Sequence, residues 1–215
     1  MKKTLPSALT LVALIGFACP ASAAPVLVNG SFEDTTGLSD SGTFFDGVPI
    51  GWSFTGTGVQ LLTSSIAIAP SGIDGNLYIE STGDDALSSF GTLSQSVTGL
   101  TVGQKYEVAF LWGNRGVPGD DAYDFAVEMG GATFSRAGSG LVNLTAGSIQ
   151  FIASLSTEEL KIIFNDPGAP TLTDGALDAF EIHAVSDVPE PSSMVLLSLG
   201  VAGLGARFGR KIRSS

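Results

Sequence analysis

The sequence predicts an all-β protein in which two antiparallel sheets pack as a sandwich. Three observations favour this class. Several short segments alternate apolar and polar residues with period two, clusters of Gly, Asn, Asp, Ser and Pro separate them at spacings of about a dozen residues, and the central part of the chain keeps no helical stripe for three turns. Because each sheet has an apolar face to bury, a second sheet is expected to cover it.

The strongest alternation occupies residues 105–112 and 124–129, where every second side chain is apolar and lies on one face of a strand. Residues 156–164 begin as a polar turn and lead into a further strand. Weaker runs of the same kind lie at 26–32, 59–62, 76–80, 92–97, 148–153 and 176–185. Together these segments supply enough strands for two sheets.

The first 23 residues have the features of a cleaved signal peptide. Lys2 and Lys3 give a positive start, residues 9–18 form an apolar core, and residues 21–23 supply the small side chains that a signal peptidase requires. We therefore expect export, with cleavage after Ala23. A lipid anchor on Cys19 is the alternative, and the residues that precede it disfavour that reading.

Residues 24–187 form a body of 164 residues, enough for one domain with a single core. This body holds 4 Lys and Arg against 20 Asp and Glu residues, a formal net charge of −16, and it has no cysteine because Cys19 is the only one in the chain. A disulfide or a thiolate metal site is thereby excluded. The charge disfavours nucleic acid and anionic lipid, and it suits calcium and neutral or cationic partners.

The body carries few residues suited to catalysis. His183 is its only histidine, so neither a zinc site nor a Ser/His/Asp triad is expected. Paired carboxylates remain, as in glycoside hydrolysis, and the acidic pairs at 84–85 and 120–124 are the candidates. Such pairs arise by chance among 20 carboxylates. We therefore expect a protein that is not an enzyme.

Four side chains are candidates for contacting a sugar: Trp52, Trp112, Arg115 and Tyr123. The flat C–H faces of sugar rings stack on aromatic rings, and Trp112 and Tyr123 flank the loop that carries Arg115. A structural role stays open for both tryptophans. Trp112 shares its register with apolar residues of its own strand, and Trp52 could equally be a buried plug.

Four segments, taken in their order along the chain, resemble the galactose-binding-like jelly rolls, which include bacterial carbohydrate-binding modules. They are NGSFED at 29–34, Trp52 after a Pro/Gly turn, residues 93–114, and GALDAFEIHAV at 175–185. The resemblance implies two antiparallel sheets of about four or five strands each, with the first and last strands adjacent in one sheet.

The resemblance also implies a structural calcium ion where the first and last strands meet, held by Glu33 and Asp178. Two carboxylates from distant parts of the chain are compatible with the hard oxygen ligands that calcium prefers. One departure weakens the match, because this chain has Ala179 where the family commonly has Asn. The alternative is that both groups are ordinary solvated carboxylates at strand ends.

Residues 188–215 consist of a Pro-Glu-Pro turn, an apolar run at 194–206 and a basic tail. This order resembles the PEP-CTERM sorting signal, which implies processing by an exosortase in Gram-negative bacteria that make exopolysaccharide. As a transmembrane helix, residues 192–206 reach about 22 Å, short of a hydrocarbon core of about 30 Å, which favours a transient anchor. The predicted sorting residues are Val188, Pro189, Glu190, Pro191, Arg207, Arg210, Lys211 and Arg213.

These features together predict an exported cell-surface or extracellular-matrix protein that binds or organises exopolysaccharide. The expected partners are the sorting enzyme, a polysaccharide and, transiently, a membrane, but not nucleic acid. Calcium is the one expected cofactor. Two alternatives stay open: a purely structural matrix protein without a glycan pocket, and a glycan-active enzyme that depends on carboxylates.

Overall fold

The computed structural model of the protein describes residues 24–42, 44–56, 59–65, 69–81, 91–114, 122–139, 142–164 and 175–185. Within these ranges the chain forms twelve β-strands in two sheets. The strands are β1 (Ser39–Asp40), β2 (Phe44–Asp46), β3 (Ser53–Gly56), β4 (Val59–Thr63), β5 (Leu77–Ser81), β6 (Gly91–Thr98), β7 (Lys105–Asn114), β8 (Ala122–Met129), β9 (Ala132–Ser139), β10 (Val142–Ile152), β11 (Thr157–Phe164) and β12 (Gly175–Ala184).

The two sheets pair their strands antiparallel. The larger sheet has the order β1-β2-β4-β5-β12-β7-β10, and the smaller has the order β3-β6-β11-β8-β9. The predicted all-β jelly-roll sandwich is confirmed. The larger sheet has seven strands among the described residues, rather than four or five, because the short strands β1 and β2 extend one of its edges. The predicted C-terminal helix lies outside the described residues.

The core lies between the sheets, and the period-two pattern places it there. Along β7, Tyr106, Val108 and Phe110 are buried, as their alternation predicts. They pack in one cluster with Val127 of β8 and Ile162 of β11, which belong to the opposite sheet. Burial of these apolar faces provides the main driving force for closing the sandwich.

The strand register defines two ends of the sandwich. At the upper end lie Asn114 of β7 and its partners Val142 and Gly175. At the lower end lie the turns at 99–104, 130–131 and 153–156, which connect β6 to β7, β8 to β9 and β10 to β11. The first and last described residues also lie at the lower end, because Val26 pairs with Thr98 and Val185 bonds to Lys105.

The predicted strand at 26–32 is wrong. Only Val26 pairs, through an isolated bridge to Thr98. Asn29 (φ 49°) and Phe32 (φ 59°) occupy the left-handed region, which breaks an extended strand and turns the chain. The segment still lies beside β12, since the amide of Phe180 donates to the carbonyl of Gly30 at 2.9 Å. The implied closeness of first and last segments is therefore present without a first strand.

Strand β9 has no counterpart among the predicted strands. Its sequence, ATFSRAGS, is rich in small and polar residues and has little apolar alternation. A hairpin signal does precede it. Gly130 and Gly131 both have positive φ, 57° and 81°, as a two-residue turn of the primed kind requires. This turn sets the register in which Met129 faces Ala132.

Candidate functional site

Trp52 belongs to a buried set of three rings, here called the inner cluster: Phe32, Trp52 and Phe180. The ring centroids lie 5.4 to 6.1 Å apart, and Trp52 is only 7% exposed. Its indole Nε1 donates to the carbonyl oxygen of Asn29 at 3.2 Å, which satisfies the buried donor. Trp52 is thus the buried plug, and as a sugar platform it offers no exposed ring face.

Trp112 belongs to a second group, here called the rim cluster: Trp112, Tyr123, Phe134 and Arg136. The centroids of Trp112 and Tyr123 are 6.2 Å apart, and those of Trp112 and Phe134 are 5.9 Å apart. All three rings are half-buried, and Trp112 lies two residues from Asn114 at the upper end of the sandwich. The structure therefore brings together two of the predicted sugar-contacting residues, Trp112 and Tyr123.

Arg136 covers the rim cluster and is a residue that the sequence reasoning missed. Its guanidinium carbon lies 4.2 Å from the ring centroid of Phe134 and 5.4 Å from that of Trp112. This is cation–π geometry. The side chain is exposed, and one guanidinium nitrogen donates to the carbonyl of Ser135 at 2.9 Å. The predicted contact residue Arg115 lies outside the described residues.

The position of Trp112 depends on a glycine in the neighbouring strand. Gly147 of β10 lies against Trp112 and Phe110, and a Cβ placed there would come within 2.6 Å of Phe110 Cε2 and 3.0 Å of Trp112 Cδ1. Phe110 joins the two clusters. It stacks on Phe180 at 5.1 Å and contacts Phe134 edge-on at 5.2 Å. Phe110 therefore links the rim cluster to the inner cluster, and the fully buried Phe125 of β8 also anchors it, 5.9 Å from Trp112.

Glu33 and Asp178 converge on the same short segment, residues 74–77, from two distant parts of the chain. Glu33 Oε1 accepts the amide protons of Asn76 and Leu77 at 2.9 and 2.8 Å. Asp178 Oδ2 accepts the amide proton of Asp74 at 2.8 Å, and its Oδ1 accepts that of Ala179 at 2.7 Å. The two carboxylates thus fasten the first and last segments to β5.

Asp178 is 0% exposed, so the alternative of a solvated carboxylate is wrong for this residue. Burial raises its pKa to about 7, and the amide hydrogen bonds from Asp74 and Ala179 oppose that rise. Repulsion from the carboxylates of Asp74 and Glu33 raises the pKa further. Asp74 is a member of this acidic group that the sequence reasoning missed.

Backbone strain adjoins the acidic group. Asp178 faces Leu111 and Glu181 faces Ala109, so Ala179 and Phe180 together oppose one residue of β7 in a β-bulge. Ala179 has φ 51°, in the left-handed region where Asn and Gly are favoured over Ala. The departure from the family pattern at this position therefore falls on a residue with an uncommon conformation.

Little catalytic geometry is visible in the described part of the chain. The ring of His183 is exposed, and its Nε2 lies 3.8 Å from Glu107 Oε2. Hydrogen bonds from Ser148 and Gln150 hold the pKa of Glu107 below its usual value. The acidic pair at 84–85 lies outside the described residues, as do Asp120 and Asp121.

A metal site is not evident from side-chain clustering alone. In the described ranges, no group of three or more His, Cys, Asp or Glu side chains is arranged to hold a metal ion. The donor chemistry nevertheless fits a hard cation, because Asp178 is a fully buried carboxylate with two more carboxylates near enough to raise its pKa. Calcium at Glu33 and Asp178 stays a prediction.

The predicted sorting residues, Val188 to Pro191 and the basic tail, lie outside the described residues. Among those that are described, no helix is long and apolar enough to cross a membrane. In sequence, residues 187–211 match the model of the PEP-CTERM protein-sorting motif. The chain carries a PEP-CTERM sorting motif. The motif indicates a secreted protein that an exosortase processes.

Solved structures share the jelly-roll fold of the body. The module TmCBM61, solved in complex with β-1,4-galactotriose, is 19% identical and has a TM-score of 0.51, with 74% of this chain and 97% of that chain covered. The K1 cleaved adhesin domain of Lys-gingipain from Porphyromonas gingivalis W83 is 15% identical, with a TM-score of 0.48 and coverages of 66% and 95%.

A third neighbour is the CBM22-1 xylan-binding domain of Xyn10C from Paenibacillus barcinonensis. It is 20% identical and has a TM-score of 0.40, with coverages of 65% and 89%. At 19% identity, the similarity to TmCBM61 establishes the fold alone. No curated protein is significantly similar to this chain in sequence.

Proposed function

We propose that the protein is exported, sorted through its C-terminal motif, and binds exopolysaccharide with the rim cluster at the surface of a Gram-negative bacterium. The observation that carries the binding role is the half-buried pair of Trp112 and Tyr123, with the Arg136 guanidinium over the adjoining rings. The motif at 187–211 supports the export stage. Carbohydrate-binding modules with the same fold are consistent with the ligand class.

The rim cluster combines the two kinds of contact that sugar recognition needs. An aromatic face packs against the C–H face of a sugar ring, and a guanidinium donates hydrogen bonds to ring or hydroxyl oxygens. Arg136 is well placed for the second role because it is exposed and already lies over the rings. With a body charge of −16, a neutral polysaccharide is favoured over a polyanion.

The test is affinity electrophoresis of the full chain in gels that contain exopolysaccharide from the producing bacterium. The unaltered protein is expected to be retarded. Trp112→Ala should weaken binding at least about tenfold, equivalent to roughly 1.4 kcal/mol, and Arg136→Gln should weaken it less. Lys161→Gln is the matched control, since Lys161 pairs with Glu159 at 3.2 Å, away from the rim cluster.

Other outcomes would assign a different role. If retardation is absent and the protein associates with itself, it is a structural matrix protein without a glycan pocket. Release of new reducing ends from the polysaccharide would make it a glycan-active enzyme, against our expectation. If both Trp112→Ala and Arg136→Gln are retarded as strongly as the unaltered protein, the binding surface lies outside the rim cluster.

We also propose that calcium is held by Glu33 and Asp178 and stabilises the body. The ion would offset the charge repulsion around the buried carboxylate of Asp178 and fasten the first and last segments to residues 74–77. Chelation should then lower the melting temperature of the protein, and Asp178→Asn should abolish that response. Glu181→Gln is the control, because Glu181 is an exposed carboxylate on the same strand. A melting temperature that does not respond to chelator would contradict calcium binding at Glu33 and Asp178.

Intact mass of the exported protein tests the sorting stage. In a host with the sorting enzyme, residues beyond the Pro-Glu-Pro turn should be lost, and in a host without it they should remain. An intact C-terminus in both hosts would contradict processing.

A further inference from the structure

Three apolar side chains project into solvent at the lower end of the sandwich. Val102 is 62% exposed, Ile152 is 63% exposed and Leu155 is 60% exposed. Among the large apolar side chains that the structure describes as exposed, these three are exposed the most. We call them the lower patch. Exposed apolar side chains gathered at one end of a fold are typical of a surface that meets a partner.

Hydrogen bonds hold the two turns of the lower patch side by side. The amide of Gly103 donates to the carbonyl of Ala153 at 2.8 Å, and the amide of Ala153 donates to the carbonyl of Gln104 at 3.0 Å. The amide of Leu100 donates to the carbonyl of Ser156 at 3.2 Å. Val102 and Leu155 therefore project from neighbouring turns that are fixed to one another.

Two charged residues beside the lower patch, Glu158 and Lys105, are compatible with an apolar partner. Glu158 Oε1 accepts the amide protons of Ser154 and Leu155 at 2.9 and 3.0 Å, so this carboxylate is turned toward its own turn. The hydrogen bond from the Ser154 side chain, followed by those from the two backbone amides, holds the pKa of Glu158 below its usual value. Lys105, opposite Ile152 in the ladder, is a long cation beside the patch.

The chain leaves the body at this same end. The amide of Val185 donates to the carbonyl of Lys105 at 2.9 Å, and the side chain of Gln104 donates to the carbonyl of Val185 at 2.9 Å. Six residues, 186–191, separate Val185 from residue 192, where the predicted anchor helix begins. Even fully extended, six residues span at most about 20 Å.

The geometry points to a lipid surface as the occupant of the lower patch, contacted while the C-terminal segment still holds the protein in the membrane. This inference rests on the proposed sorting stage. The short tether keeps the lower end of the body facing the bilayer, and the exposed Val102, Ile152 and Leu155 enter its interface. Because the body carries a charge of −16, zwitterionic lipid is favoured over anionic lipid. Processing at the sorting motif would then release the patch together with the body.

The test uses residues 24–215, the chain expected after signal cleavage, which keep the C-terminal segment and contain no cysteine because Cys19 is the only one in the sequence. Val102→Cys, Leu155→Cys and the control Thr55→Cys are each labelled with an environment-sensitive fluorophore and reconstituted into phosphatidylcholine vesicles. Thr55 is exposed and lies on β3, toward the upper end. The labels at 102 and 155 should shift to shorter wavelength and be quenched by brominated lipid, whereas the label at 55 should report water.

The outcomes separate this inference from the proposed function. If the chain does not float with the vesicles, the membrane stage itself fails. If it floats and the labels at 102 and 155 report water like the label at 55, the lower patch does not contact lipid and the inference is overturned. Shielding of both labels without lipid, increasing with protein concentration, would also overturn it, because the occupant would be a second copy of the chain.

Discussion

The inner cluster and the rim cluster contain the same kinds of aromatic side chain and differ in what covers them. In the inner cluster, Trp52 is enclosed by Phe32 and Phe180, and its indole N–H is satisfied by Asn29. In the rim cluster, Trp112 has a long charged side chain, that of Arg136, over its ring. An enclosed ring is released only by unfolding. A half-buried ring beside an exposed side chain keeps part of its surface within reach of a ligand.

The comparison shows that the neighbours of a tryptophan decide whether its ring is a buried core residue or is accessible to a ligand. Both clusters belong to one continuous set of rings, joined by Phe110. The core therefore fixes the position of the rim cluster, and the half-buried rings of the rim cluster keep part of their aromatic surface near solvent. Substitutions in the inner cluster should mainly lower stability, and substitutions in the rim cluster should mainly weaken binding.

The largest expected effect comes from Trp52→Ala. Removing a buried tryptophan leaves a cavity beside Phe32 and Phe180, and we expect a loss of about 3–5 kcal/mol in the free energy of unfolding. Trp112→Ala should cost clearly less, since its ring is half-buried. Urea denaturation of both variants measures the difference. Equal losses would show that the two clusters are alike in burial, contrary to the structure.

A smaller effect is expected from Gly147→Ala, which places a methyl group of β10 against the rim cluster. The added Cβ would contact Phe110 and Trp112 too closely, and overpacking of this kind costs about 1–3 kcal/mol. Glycan retention should fall as well, because Trp112 must move. Ala146→Ser, at an exposed neighbouring position, is the control and should leave both quantities unchanged. Normal retention in Gly147→Ala would argue against Trp112 as a contact residue.

Much of the fold could be predicted because apolar alternation records which face of a strand is buried. It identified β4 to β8 and β12, the second half of β10 and most of β11. It failed at β9, where small and polar residues at a sheet edge carry no such record. It also failed at 26–32, where positive φ at Asn29 and Phe32 turns an apolar segment out of the extended conformation.

The candidate site could be predicted only in part, for related reasons. Trp112 and Tyr123 flank one loop, so their closeness follows from the chain itself. Arg136 reaches them from β9, a strand that lacks the apolar alternation needed to predict it. The burial of Trp52 depends on Phe180, which is distant in sequence. Long-range pairing of this kind is not encoded in any local pattern.

The smallest expected effect has the opposite sign and belongs to the bulge beside the inner cluster. Ala179 adopts φ 51°, and the left-handed region costs an L-residue about 1–2 kcal/mol. Ala179→Gly removes that strain but gives the unfolded chain more freedom, a loss of roughly 0.4–1 kcal/mol. We therefore expect a net gain in stability of up to about 1.5 kcal/mol, measured as a higher urea midpoint at an unchanged slope.

Ala137→Gly is the matched control for this gain. Ala137 is an exposed residue of β9 and is not among the described residues with positive φ. At an ordinary strand position, Gly is destabilising by roughly 0.5–1 kcal/mol relative to Ala. The same substitution should thus raise stability at 179 and lower it at 137. Destabilisation at both positions would mean that the bulge beside Asp178 does not hold Ala179 in the left-handed region, and the geometry of the acidic group would then need to be redrawn.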